Sequence, residues 1–151
     1  MLVADDGRTL LTNFSCSAIF SIDRAPISVG AIRWRAPEHV DDSRGVTIEG
    51  DVWAFGMTVL ELFSAERPFK DASKSSIISC IRQGPLPERP IHMNGEWWAV
   101  CTSCWGLDPA SRPSMSVLVE KIEKIIAQSS RPRFVETLNE NEDKVVNEGN
   151  A

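Results

Sequence analysis

The sequence predicts a mainly α fold with a single β-hairpin at its N-terminal end, and three observations carry that expectation. Apolar residues recur at helical spacing over four segments, 51–63, 71–83, 96–105 and 114–127. Proline and glycine fall between those segments, at Pro68, Gly84 and Pro109, where they end helices without interrupting them. Only the first twelve residues pair two short apolar runs across an Asp-Gly turn, the signature of a hairpin.

The hairpin reads as Leu2-Val3, then Asp5-Asp6-Gly7-Arg8, then Thr9-Leu10-Leu11-Thr12 leading to Phe14. Residues 15–30 show no periodicity and much Ser, Gly and Pro, which predicts a long loop of the kind that is functional or mobile in compact domains. Over 51–63 the apolar positions lie on nearly every face of a helix, so that helix is expected to be buried. Arg67-Pro68-Phe69 stops it, because proline disfavours helical backbone at the residue before it. A shorter amphipathic helix over 71–83 ends at Gly84, and 84–90, with three prolines, is an extended linker. The segment 96–105 is an aromatic-rich helix with Trp97, Trp98 and Trp105, closed by a turn at Asp108-Pro109. In 114–127, Met115, Leu118, Val119, Ile122, Ile125 and Ile126 form one stripe.

Residues 1–127 are thus expected to form one domain. Beyond it, 128–151 holds five acidic and three basic residues with four asparagines and only scattered apolar side chains, which predicts a disordered acidic tail. The net charge of -5 and pI near 5.1 give no electrostatic footprint for nucleic acid or an anionic membrane. No run reaches the roughly eighteen apolar residues of a membrane span. Met1 to Leu11 carries Asp5, Asp6 and Arg8 where a signal peptide needs an apolar stretch, so a cytoplasmic chain is expected. Cysteines at 16, 80, 101 and 104 do not suit a disulfide scaffold in a chain with this much apolar content. Cys101 and Cys104 share one helix face, but no second Cys-x-x-Cys or histidine pair accompanies them, and no metal site is expected.

The chemistry-bearing pattern lies in residues 33–56, where Ala36-Pro37-Glu38 is followed across a polar stretch by Asp51-x-Trp53-x-x-Gly56. That pairing resembles the protein kinases, in which Ala-Pro-Glu closes the activation segment and Asp-x-Trp-x-x-Gly opens the central helix of the C-terminal lobe. Cys104-Trp105, Asp108-Pro109 and Arg112-Pro113, with Trp34 before Ala36, are similar to the pattern of tyrosine kinases and tyrosine-kinase-like serine/threonine kinases. The resemblance runs from residue 2 to about 127. It implies a protein kinase-like C-lobe with a residual N-terminal β-hairpin.

The resemblance also assigns expected roles. Asn13-Phe14-Ser15 stands where the family has Asp-Phe-Gly, so the activation segment would comprise Asn13, Phe14 and Ser15 at its start and Ala36, Pro37 and Glu38 at its end. The family aspartate supplies an anionic oxygen to magnesium, and Asn13 offers a neutral carbonyl in its place. Ser15 replaces a glycine whose backbone freedom a side chain restricts. Trp34 and Arg35 would lie in the loop that faces substrate, while Glu38 would pair with Arg112 in a buried ion pair. Trp53 and Trp105 are expected in the core. Asp51 would be satisfied by water and helix N-terminal amides, as an N-cap, or by a partner.

The family's glycine-rich loop, strand lysine, helix glutamate and His-Arg-Asp loop precede the matched segment, and none is found here. No intact catalytic residue and no metal ligand is therefore expected; ATP and magnesium enter by family resemblance only, and no cofactor is expected for this chain. Three readings follow. The chain is a kinase-domain fragment, non-catalytic and pseudokinase-like, from a family that phosphorylates proteins with ATP in signalling. Alternatively it is a truncated gene model of an active tyrosine-kinase-like kinase, or a protein-interaction module. The expected partner is a protein or the missing N-terminal lobe, with no nucleic acid and no membrane.

Overall fold

The computed structural model describes residues 2–12, 29–40 and 47–129. It is mainly α, with four α-helices and a small antiparallel hairpin among the described residues. Strand β1, Leu2–Val3, pairs with β2, Thr9–Leu10, placing Leu2 opposite Leu10 and Val3 opposite Thr9. Gly7 takes φ of 83°, a left-handed conformation that glycine adopts without steric cost. Its N–H donates to the Ala4 carbonyl at 2.8 Å, and the Asp6 carboxylate accepts from Arg8 N at 3.0 Å and Arg8 Nε at 2.7 Å.

Helix α1, Ile48–Ser64, begins three residues before the apolar run that predicts it. The cause is Thr47, whose Oγ1 accepts from Gly50 N at 3.0 Å and caps the first turn. Asp51 is consequently not the N-cap; it sits one turn inside the helix. The helix stops at Ala65 in a left-handed conformation with φ of 55°, two residues before Arg67-Pro68-Phe69. Val52, Trp53, Met57, Val59 and Leu60 are buried, whereas Ile48 and Leu62 are exposed, so α1 is covered over a broad face and not all round.

Helix α2, Lys74–Gln83, starts three residues later than its pattern suggests, because Ser73 Oγ accepts from Ser76 N at 3.2 Å and sets the cap there. It ends at Gly84, and 84–90 carries no regular structure. Helix α3, Gly95–Cys104, is capped by Asn94, whose Oδ1 accepts from Trp97 N at 2.9 Å. Helix α4, Met115–Ser129, runs two residues beyond the expected domain boundary at 127, and residues 130–151 of the expected tail lie outside the described residues. Of its apolar stripe, Leu118 and Ile125 are buried and Ile122 is half-buried, while Met115, Val119 and Ile126 remain exposed.

The expected loop at 15–30 lies outside the described residues except for its last two, which open a 3₁₀ helix, Val29–Trp34. A second 3₁₀ turn, Pro37–His39, follows, and both lie beside α1 or the turn that leaves it. Among the described residues no helix is long and apolar enough to cross a membrane.

The core forms where α1 meets α3, with Trp53, Met57 and Leu60 on one side and Val100, Cys101 and Cys104 on the other. Ile77 and Ile81 of α2, Leu118 and Ile125 of α4, and Met93 complete it. The helices approach closely at Gly56: a Cβ there would lie 2.7 Å from Cys104 Cβ and 2.7 Å from Trp105 Nε1. Gly56→Ala is therefore expected to destabilise the fold by about 1–3 kcal/mol through overpacking. Ala65→Gly should stabilise it by about 0.5–1 kcal/mol by relieving the left-handed alanine. Urea unfolding followed by circular dichroism measures both, and equal effects of the two substitutions would contradict the packing described.

Candidate functional site

Two clamps organise the segment that carries the motif. The first is built on Arg112. Asp108 caps the 3₁₀ turn Pro109–Ser111, its Oδ1 accepting from Ala110 N at 3.0 Å, while Ser111 Oγ donates to the Asp108 carbonyl at 2.7 Å. The chain then extends at Arg112, which points inward with its side chain wholly enclosed. Its Nη1 and Nη2 donate to Glu38 Oε1 at 2.7 Å and Oε2 at 2.8 Å, a parallel two-pronged contact. Nη1 also donates to the Glu49 carbonyl and Nε to the Gly106 carbonyl, each at 2.8 Å. The guanidinium carbon lies 5.2 Å from the Trp53 ring centroid. One side chain thus ties together the Pro37–His39 turn, the first turn of α1, the end of α3 and the central tryptophan.

Burial pushes the Glu38 carboxyl up, but the Arg112 hydrogen bonds, a bond from its own backbone and the charges of Arg112 and His39 together hold it below the ordinary glutamate range. His39 Nε2 lies 3.0 Å from Thr47 Oγ1, joining the 3₁₀ turn to the cap of α1.

The second clamp involves Arg33 and Trp34. Arg33 Nη1 donates to the carbonyls of Pro68, at 2.8 Å, and of Phe69, and Nη2 to that of Ala72 at 3.5 Å. Trp34 Nε1 donates to Glu61 Oε2 on α1 at 3.1 Å. Trp34, expected in a loop, ends the 3₁₀ helix and is half-buried, held there by that hydrogen bond and by packing on the core. Arg35 is half-buried too, and its Nη1 donates to the His39 carbonyl at 3.3 Å. Ala36, between the clamps, is buried.

Asp51 stands apart. Partial desolvation raises its carboxyl above the ordinary aspartate range, against a lowering by the charge of His39, and among the described residues no hydrogen bond reaches it. Trp53 and Trp105 are in the core, both indole N–H groups lacking a partner among the described residues, with Trp105 edge-on to Trp98 at 5.7 Å. Burial pushes the Cys101 thiol up to about 12 and the Cys104 thiol up to about 11, which makes them apolar filler and not nucleophiles. Among the described residues no three His, Cys, Asp or Glu side chains gather to hold a metal. Asn13, Phe14 and Ser15 lie outside the described residues. Arg33, Glu61, His39 and Thr47 were not singled out by sequence reasoning; of these only Thr47, a threonine three residues before a glycine in a first helical turn, leaves a recognisable capping signal.

A profile of protein tyrosine and serine/threonine kinases matches residues 3–122. The chain is 34% identical over 102 residues to mast/stem cell growth factor receptor kita of Danio rerio, an alignment covering 66% of this chain and 10% of the receptor. It is 30% identical over 105 residues to a fibroblast growth factor receptor of Halocynthia roretzi, covering 69% and 14%, and 28% identical over 106 residues to fibroblast growth factor receptor 1 of Xenopus laevis, covering 70% and 13%. The chain thus spans between 10% and 14% of the length of these relatives.

Removing Arg112 leaves Glu38 uncompensated, and Arg112→Ala is expected to cost roughly 3–5 kcal/mol. Because the Glu38 carboxyl is lowered in the folded chain, the stability it contributes is complete above the ordinary glutamate value near pH 4.3 and is lost as pH falls further. Asp51 is raised, but the residue is exposed, so water screens the cost of its ionised form and its effect on stability is small across this range. Glu38→Gln should accordingly lower the melting temperature at pH 7 with a gap that narrows toward pH 3. Asp51→Asn should leave it unchanged or raise it at pH 7. Melting curves across that range check both signs.

Proposed function

Since the chain belongs to the protein tyrosine and serine/threonine kinase family, we propose that it acts as a non-catalytic, pseudokinase-like C-lobe module that presents the Trp34–Glu38 edge to a protein partner. The observation that carries this reading is the double anchoring of that edge: Arg33 and Trp34 fix one end to 68–72 and α1, and Glu38 is fixed to Arg112 at the other. A segment held at both ends by hydrogen bonds within the chain needs no metal or nucleotide to keep its shape.

The donor set does not fit the family's magnesium-nucleotide chemistry. Asn13 replaces a carboxylate with a neutral carbonyl, and hard divalent cations that keep most of their waters depend on such carboxylates. No step of phosphoryl transfer is therefore assigned to this chain. The exposed apolar side chains of the hairpin, Leu2, Val3 and Leu11, support the partner reading, because an isolated two-stranded ribbon is marginal in water.

Differential scanning fluorimetry of the chain with and without millimolar Mg-ATP tests the proposal. A melting temperature that moves by less than about 1 °C is expected; at a ligand concentration 100-fold above its dissociation constant, binding would add about 2.7 kcal/mol, a shift of several degrees. A shift of that size would overturn the non-catalytic assignment.

A further inference from the structure

Arg33 forms a contact that neither the motif nor the core accounts for. It sits on a 3₁₀ helix, in which successive side chains project about 120° apart, so Arg33 and Trp34 leave the same turn in different directions. Trp34 reaches Glu61 on α1, whereas Arg33 reaches the turn after α1, gathering the carbonyls of Pro68, Phe69 and Ala72. The turn is an awkward piece of backbone. Phe69 has φ of 54°, in the left-handed region that a side chain reaches at a cost, and its carbonyl already accepts from Ala72 N at 3.0 Å. Buried Pro68 has no N–H, so its carbonyl is the only backbone hydrogen-bonding group it offers.

We propose that Arg33 is a positioning residue: its guanidinium locks the strained 65–73 turn against the Trp34 edge, so that the two form one preformed surface. The proposal rests on the reading of Trp34 and Arg35 as partner-facing, and it adds the 65–73 turn, with half-buried Phe69 and Ala72, to the surface a protein partner would meet. The Arg33 guanidinium reaches the three carbonyls from two nitrogens held in one plane, whereas a lysine ammonium donates from a single nitrogen on a flexible stem.

Amide hydrogen exchange of the intact chain, read by NMR together with the Trp34 indole N–H resonance, tests this without any ligand. Arg33→Gln should raise exchange of the Ala72 amide, which the turn holds on the Phe69 carbonyl, at least tenfold and shift the Trp34 indole proton, leaving the amides of α4 between Leu118 and Ile125 unchanged. Arg33→Lys should recover less than half of the protection on a logarithmic scale. Unchanged exchange of the Ala72 amide in Arg33→Gln, or full recovery by lysine, would overturn the proposal. So would an equal rise in α4, which would mark a general contribution to stability. Should Arg33→Gln fail to fold, Arg33→Lys decides alone: local loss at the Ala72 amide supports the lock, and wild-type exchange there refutes it. Since no nucleotide is involved, this outcome is independent of the Mg-ATP measurement.

Discussion

The fold depends on one buried cation. Placing a guanidinium beyond reach of water costs several kcal/mol unless its charge and N–H groups are matched, and four of the five Arg112 N–H groups donate, two to a carboxylate and two to carbonyls, beside an aromatic face, with partners drawn from four places in the chain. None of those partners can move without leaving a charge or a donor stranded. The interaction is therefore less a source of net stability than a constraint on arrangement. It fixes where the Pro37–His39 turn meets α1, and with it the course of the chain back to Val29.

That constraint separates two kinds of function within one segment. Holding shape is local and complete, since the edge from Arg33 to Glu38 is anchored by groups within the chain. Chemistry on a phosphate would require an anionic site for a cation, and the residue that the family resemblance places there is neutral. The two properties rest on different residues.

Much of this was legible in the sequence, and the reasons differ by element. Helices α1 and α4 are long and strongly periodic, so their existence could be read directly, but the starts of α1 and α2 each missed by three residues because side-chain oxygens of Thr47 and Ser73 set them, and apolar periodicity is blind to caps. Glu38 and Arg112 are 74 residues apart, and no spacing rule joins them; family resemblance alone pointed to the pair. Arg33 left no sign at all, since its partners are backbone carbonyls, present at every residue. The 3₁₀ helix Val29–Trp34 leaves no sign because six residues, two turns of three, are too few to show a period.

The missing side chain at Gly56 has an evolutionary consequence. The spacing between the two central helices is set by direct contact among positions 56, 104 and 105, with no room left for a Cβ at 56, so these three cannot drift independently. A lineage that enlarged position 56 would have to shrink position 104 or turn the indole of Trp105 first, and the intermediate would be the least fit of the three. The small, deeply covered cysteine at 104 serves this contact through its size.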